Sequence, residues 1–300
     1  MRLAKRTQPV PDGYLTYFTA EQADELRRLV ARSFAAVGRD VDVHSDRVVD
    51  RSGTTIGLWN IGAMCLRADE AAWPQLIDEH VRLIATPARD LSDVTEAEFG
   101  TGLSLRLVDE EAVPDPDALG YARVVVPGLL EVLAVDLGDA VATPSREDLT
   151  GRGTIAGLVA LGRANLRGLL DSDTVRSGTV GENGRFTAVR GESLFTASLA
   201  LVLPEAMGRF SGEDDWGRGV LVAVPSRHEL LYRTIDAADA RLALQYMLEA
   251  AFLGFHDEIG PLSPDVFWVR KHKWVPVTSC ADGKPRVLRG TGLREALAGF

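Results

Sequence analysis

The sequence predicts an α+β fold with a mixed or mainly antiparallel sheet, helices packed on it, and hairpins interspersed with the helices. Helical and alternating hydrophobic periods are mixed along the chain instead of following one another in regular strand–helix order. Turn signals such as Pro127-Gly128 and Asn183-Gly184 stand between apolar segments and suit hairpins. A chain of 300 residues with 46% hydrophobic content can bury a sizeable core. The Pro- and Asp-rich stretch "EEAVPDPDALG" is the best loop between two α+β halves, 1–115 and 116–300, with one continuous domain as the alternative.

Thr19 and Gln22 have capping-box spacing, and Ala23, Leu26, Val30 and Phe34 fall on one helical stripe that Gly38 would stop. "RDVDVHSDRVVDRSGTTIGLWN" alternates and reads as a hairpin turning at residues 51–54. His44 and Asp46 lie on that hairpin, where a metal site would need two more ligands from elsewhere; a solvated strand face is the simpler reading. From Asn60 to Ile84 the pattern is helical, and His80 joins the stripe of Leu76, Ile77 and Val81, where a histidine usually serves the core. The acidic run "DLSDVTEAEFG" reads as a solvated face, and "LSLRLV", Leu103 to Val108, as a strand.

Pro127-Gly128 separates two strands, the second ending at Asp136, and Gly138-Asp139 offers a turn after it. Thr154 caps a helix running to about Leu170, and "GTVGENGRFTAV" reads as a hairpin turning at Asn183-Gly184. Residues 193–203 form a very apolar segment whose period is ambiguous and which Pro204 would stop. "GVLVAV" and "LLYRTI" read as partner strands, 236–253 as a helix with Asp236 and Asp239 near its start, and "DVFWVRKHKWVPV" as one more strand, locally basic at Arg270, Lys271 and Lys273.

Composition excludes several function classes. A net charge of -10 gives no wide cationic surface for nucleic acid. No stretch approaches the roughly 20 apolar residues of a membrane span, and the start of the chain is interrupted where a signal peptide would need a continuous apolar region. Two distant cysteines, Cys65 and Cys280, suit neither a disulfide framework nor a zinc site, and the five histidines supply no ligand cluster. The expectation is a soluble cytoplasmic protein without metal, cofactor or membrane contact.

Catalytic motifs are weak. "GRGTIAG" resembles a phosphate-binding loop, but "SREDL" precedes it where a buried strand is required. No G-x-S-x-G elbow occurs. Ser226 and His228 are close in sequence, which does not establish a catalytic pair, and Asp139 is more simply a turn former than half of an acid/base pair with Asp136. Asn165, at the edge of its helical stripe, must satisfy its amide within the core or point into a cleft.

Three passages, "WNIGAMCLRADEAAWPQLIDEHV", "VLAVDLGDAVATPSREDLTGRGTIAGLVALGRANLRGL" and "FTASLALVLPEAMGRFSGEDDWGRGVLVAVPSRHELLYRTI", resemble the YtpQ-like family of bacterial proteins of unknown function. The likeness covers about half of the chain. It rests on an Asp-bearing strand end, a Ser-Arg-Glu-Asp-Leu hook, a helix carrying Asn-Leu, a Leu-Pro-Glu segment and a Val-Pro-x-Arg turn. The resemblance implies architecture and no chemistry. It places Asp139, Arg146, Asp148, Asn165, Glu205, Ser226 and Arg227 in one recurring pattern, while His228 stands where the family is more often acidic.

The expected function is binding, as an accessory, regulatory or immunity-type module whose partner is another protein or a small ligand. The alternative is a hydrolase- or transferase-like enzyme with a site near Arg146, Asn165 and Arg227, and motifs leave open whether it is an enzyme. The candidate binding residues are Asp139, Arg146, Asp148, Asn165, Ser226, Arg227 and His228.

Overall fold

The computed structural model describes residues 10–15, 17–51, 55–85, 90–113, 115, 117–138, 140–182, 185–213, 216–235, 240–280 and 283–297. It forms two compact units, Met1–Pro87 and Ala88–Phe300.

In the first unit, α1 (Ala20–Ala36) opens with the expected capping box: Gln22 N–H donates to the Thr19 hydroxyl, and Thr19 N–H donates to the Gln22 side chain. The stripe Ala23, Leu26, Val30 and Phe34 is buried. A three-stranded antiparallel sheet of β1 (Val41–Val43), β2 (Arg47–Asp50) and β3 (Thr55–Gly57) replaces the single expected hairpin. An extra turn at 44–46, closed by His44 N–H on the Arg47 carbonyl at 2.8 Å, splits the segment; residues 52–54 of the expected turn at 51–54 lie outside the described residues. The helical pattern over 60–84, with one apolar face at Ile61, Met64 and Cys65 and another at Trp73, Leu76, Ile77, Val81 and Ile84, is two helices, α2 (Trp59–Leu66) and α3 (Trp73–Ala85). Pro74 in the first turn of α3 favours this restart, and the Trp73 indole ties the two by donating to the Cys65 carbonyl at 2.9 Å.

The second unit begins with α4 (Glu96–Gly102), capped by a second box at Thr95 and Glu98 within the acidic run. There follow β4 (Leu103–Asp109), β5 (Arg123–Val126), β6 (Leu129–Asp136) and β7 (Val141–Ala142), one antiparallel sheet with β6 between β4 and β5. Gly128, at φ 86°, makes the tight β5–β6 turn. The expected divide at 115/116 lies within this unit, between paired strands β4 and β6. Then come α5 (Ile155–Gly168), β8 (Val175–Val180), β9 (Phe186–Gly191), α6 (Leu203–Ser211), β10 (Val220–Ala223), β11 (Glu229–Thr234), α7 (Ala240–Asp257), β12 (Val266–Arg270) and β13 (Lys273–Pro276). The turn residues Asn183 and Gly184, and Asp236 and Asp239 before α7, lie outside the described residues.

A six-stranded antiparallel sheet in the order β13-β12-β10-β11-β9-β8 organises this unit. Its inner strands are buried on both faces, and the period of two sorts their side chains. Val220, Val222, Leu230, Tyr232, Phe267 and Val269 enter the core shared with the smaller sheet. Leu221, Ala223, Leu231, Val266 and Trp268 enter the core under α7. That is why these strands read as continuous apolar runs.

Pro204 does not stop the apolar segment: a 3-10 helix, Ala197–Val202, leads into α6, with Pro204 in the first turn, where its missing N–H costs no hydrogen bond. The basic tail is a hairpin, not one strand, because the chain reverses at Lys271-His272. All described pairings are antiparallel, so the fold is α+β as expected. Among the described residues no helix is long and apolar enough to cross a membrane.

Lys271 and His272 are the described residues other than glycine with positive φ, at 48° and 65°. Such a conformation costs a side-chain-bearing residue about 1 kcal/mol or more. His272→Gly is therefore expected to stabilise the protein by ~1 kcal/mol, a rise in Tm of roughly 2–4 °C for a unit of this size. An unchanged or lower Tm in a calorimetric scan would show that the turn is not strained.

Candidate functional site

The β10–β11 connection, Val224 to His228, is held from three sides. Leu262 N–H donates to the Pro225 carbonyl at 2.9 Å, and Arg227 N–H donates to the Gly260 carbonyl at 2.9 Å. The Arg227 carbonyl accepts from Ala197 N–H at 3.1 Å, at the start of the 3-10 helix, and the His228 carbonyl accepts from Gly191 N–H at 3.1 Å. Backbone polar groups in a buried loop need such partners, so this turn is fixed in place. Ser226 is fully buried, and its Oγ accepts from the His228 backbone N–H at 3.3 Å.

Arg227 is half-buried and lies across Gly260. A Cβ at position 260, whose φ is 69°, would stand 2.6 Å from Arg227 Cδ, so only glycine leaves the side chain this path. Arg227 Nε donates to His228 Nε2 at 3.1 Å. An accepting Nε2 requires the proton on Nδ1, which points to the Gly191 carbonyl at 3.1 Å. His228 is thereby held neutral: burial first, and the Arg227 charge second, push it below the usual histidine range. Its ring does not bond Ser226, so the two residues form no nucleophile–base pair in this geometry.

Glu229 is buried and pairs with Arg190 at 2.5 Å; burial raises its carboxyl above the usual range, and Arg190 opposes that shift. Arg106 on β4 joins this group from the other sheet. Its neighbour Leu107 donates its N–H to Ser198 Oγ at 2.9 Å, one residue from the Ala197 amide that bonds Arg227. Arg106 Nε is buried and makes no hydrogen bond. Burial, with the Arg227 charge beside it, lowers Arg106 to about 10, and burial lowers Arg227 as well. Neither guanidinium makes an ion pair with a carboxylate among the described residues. Arg106 was not among the expected residues; its signal is a basic side chain flanked on both sides by leucines, Leu105 and Leu107, within a strand.

The other expected residues lie elsewhere. The Asn165 amide donates to the carbonyls of Gly100 at 2.9 Å and Leu103 at 2.7 Å, tying α5 to the α4–β4 junction. It lines a cleft of about 810 Å³ with Ser104, Asp136 and Ser193 among others. Asp148 closes the Ser145 hook, accepting from the Ser145 N–H at 2.7 Å and hydroxyl at 2.8 Å. Arg146 is exposed, with its N–H on the Ala118 carbonyl at 2.8 Å. Asp139 lies outside the described residues. The structure thus brings Ser226, Arg227 and His228 together and adds Arg106, while Arg146 and Asp148 form a separate surface hook and Asn165 braces a helix. No protein-family model, curated protein or solved structure matches this chain.

Because the fold holds His228 neutral, the unfolded chain binds its proton first as pH falls. The stability linked to this group is present above the unfolded value near 6.5 and is lost as pH drops through and below it. Chemical denaturation at about pH 7.5 and about pH 5.5 is expected to show a smaller acid loss for His228→Gln than for the parent chain. Equal losses would mean that His228 is protonated in the fold.

Proposed function

We propose that this protein acts by binding, as a cytoplasmic accessory, regulatory or immunity-type module, and that it recognises an acidic group seated between Arg106 and Arg227. One observation carries the proposal: two half-buried guanidiniums of like charge lie within electrostatic reach of each other, one with an unbonded Nε, and neither has a carboxylate partner among the described residues. Burying uncompensated charge is costly, and a carboxylate or phosphate supplies both the missing charge and the missing acceptors.

A protein as the bearer of that acid is supported by the first unit taken by itself. There Val10, Tyr14, Tyr17 and Trp59 are exposed, with Tyr17 edge-on to Trp59 at 6.0 Å. Exposed aromatic residues of this kind are characteristic of protein contacts. Kinship with the YtpQ-like family is part of the proposal and rests on the quoted motifs, of which the Val-Pro-x-Arg turn forms the arginine site. An enzyme site near Arg146, Asn165 and Arg227 draws no support from Arg146, which is exposed, or from Asn165, whose amide is taken up by the carbonyls of Gly100 and Leu103.

Thermal unfolding in a panel of polyvalent anions, phosphate, pyrophosphate and citrate, tests the proposal. An anion at ~100 times its Kd is expected to stabilise the parent chain by about 2.7 kcal/mol, a rise of roughly 5–10 °C. The double substitution Arg106→Gln with Arg227→Gln is expected to remove most of this response and, without anion, to leave the protein as stable as the parent or more so. An equal response in both chains, or none in either, would overturn the proposal.

A further inference from the structure

The turn Lys271-His272 and the tryptophans around it have no part in the arginine site. The exposed His272 ring stands edge-on to Trp216, with centroids 5.5 Å apart. Trp274, on the returning strand β13, packs against Phe267 at 5.5 Å. His272, Trp216 and Trp274 line a cleft of about 450 Å³ whose lining also includes Arg123 of β5 and Arg163 and Arg167 of α5. The volume is within the range of small-molecule sites.

The charges on the described residues of this cleft do not balance. Glu131, only 5% exposed, holds both Arg123 and Arg163, the latter at 3.4 Å. Arg163 also donates to the Leu201 carbonyl at 2.7 Å, which fixes it as a strut. Arg167 donates through Nε to Glu205 at 2.6 Å. Among the described residues, three guanidiniums therefore face two carboxylates. The Nη groups of Arg167 and the Nη1 and Nε groups of Arg123 make no hydrogen bond to the described residues. The carboxylates position the arginines, which line the cleft with donors left over.

We propose that this cleft binds a free nucleotide: a planar heterocycle stacked against Trp216 and Trp274, with its phosphate taken by Arg123 and Arg167. Indole faces accept any base, and guanidinium forks match phosphate oxygens two at a time. His272, displayed by its left-handed backbone at the rim, closes over the ligand beside Trp216. Strained side-chain-bearing turns persist where a site depends on them. The net charge of -10 disfavours a long polyanion, so the ligand is the mononucleotide and not a strand.

The test is titration calorimetry with AMP, GMP, CMP and UMP, paired with tryptophan fluorescence. Adenosine and inorganic phosphate serve as the half-ligands. At least one nucleotide is expected to bind with a Kd of roughly 10–100 µM and quench the indole emission, with each half-ligand at least about 10-fold weaker. Arg167→Gln changes a side chain that is 45% exposed and should not disturb folding; it is expected to weaken binding by about 10-fold. His272→Gly is expected to weaken it while raising Tm. The double variant at Arg106 and Arg227 is expected to bind nucleotide as the parent does, which separates this cleft from the site proposed above. Absence of heat and quenching with all four nucleotides at millimolar concentration would overturn the proposal. So would unchanged affinity in Arg167→Gln, or loss of affinity only in the Arg106 and Arg227 double variant.

Discussion

Burial of the six-stranded sheet on both faces governs where polar chemistry can occur in the larger unit. With α7 on one side and the 3-10 segment and smaller sheet on the other, β10 and β12 are apolar at nearly every position. Polar side chains are displaced to the strand ends and turns. The β10–β11 connection and the β12–β13 turn are two such places, at the two ends of strands that pair with β10. Each has gathered arginine, histidine and a conformationally demanding residue: Gly260 under Arg227, and Lys271-His272 beside Trp216.

At the first of these ends, electrostatics and geometry point the same way. Pro225 removes a donor as the strand ends, and the clamped backbone then fixes Arg227 over Gly260. Its Nε occupies His228 Nε2, which sets the tautomer and removes the ring from any reaction with Ser226. Arg106, arriving from β4, adds a second positive charge where burial already disfavours one. A protein interior tolerates such a pair when something negative enters it.

Much of the architecture was legible in the sequence because it depends on local signals. The Thr19 capping box, the Thr154 cap, the Pro127-Gly128 turn and the continuous apolar strands all act within a few residues, and each element formed where those signals stand. The reading failed where two signals compete. Pro204 can end a helix or begin one, and the tertiary packing of Ala197–Val202 chose the second. Lys271-His272 lacks the glycine or asparagine that announces a two-residue turn, so the final hairpin was read as one strand. The candidate site was half legible. Ser226, Arg227 and His228 are neighbours in sequence, whereas Arg106 is brought to them by the packing of two sheets around a shared core, which no local pattern encodes. Asn165 was singled out correctly as needing partners, but those partners are backbone carbonyls of a different element.

The central claim is that Arg106 and Arg227 share an anion. A crystal structure from crystals grown with tungstate, an electron-dense analogue of phosphate, measures this most directly. The account predicts tungstate within hydrogen-bond distance of Arg106 Nε and of the Arg227 guanidinium. An Arg106 guanidinium turned onto a carboxylate of the protein, with tungstate bound only elsewhere, would contradict it.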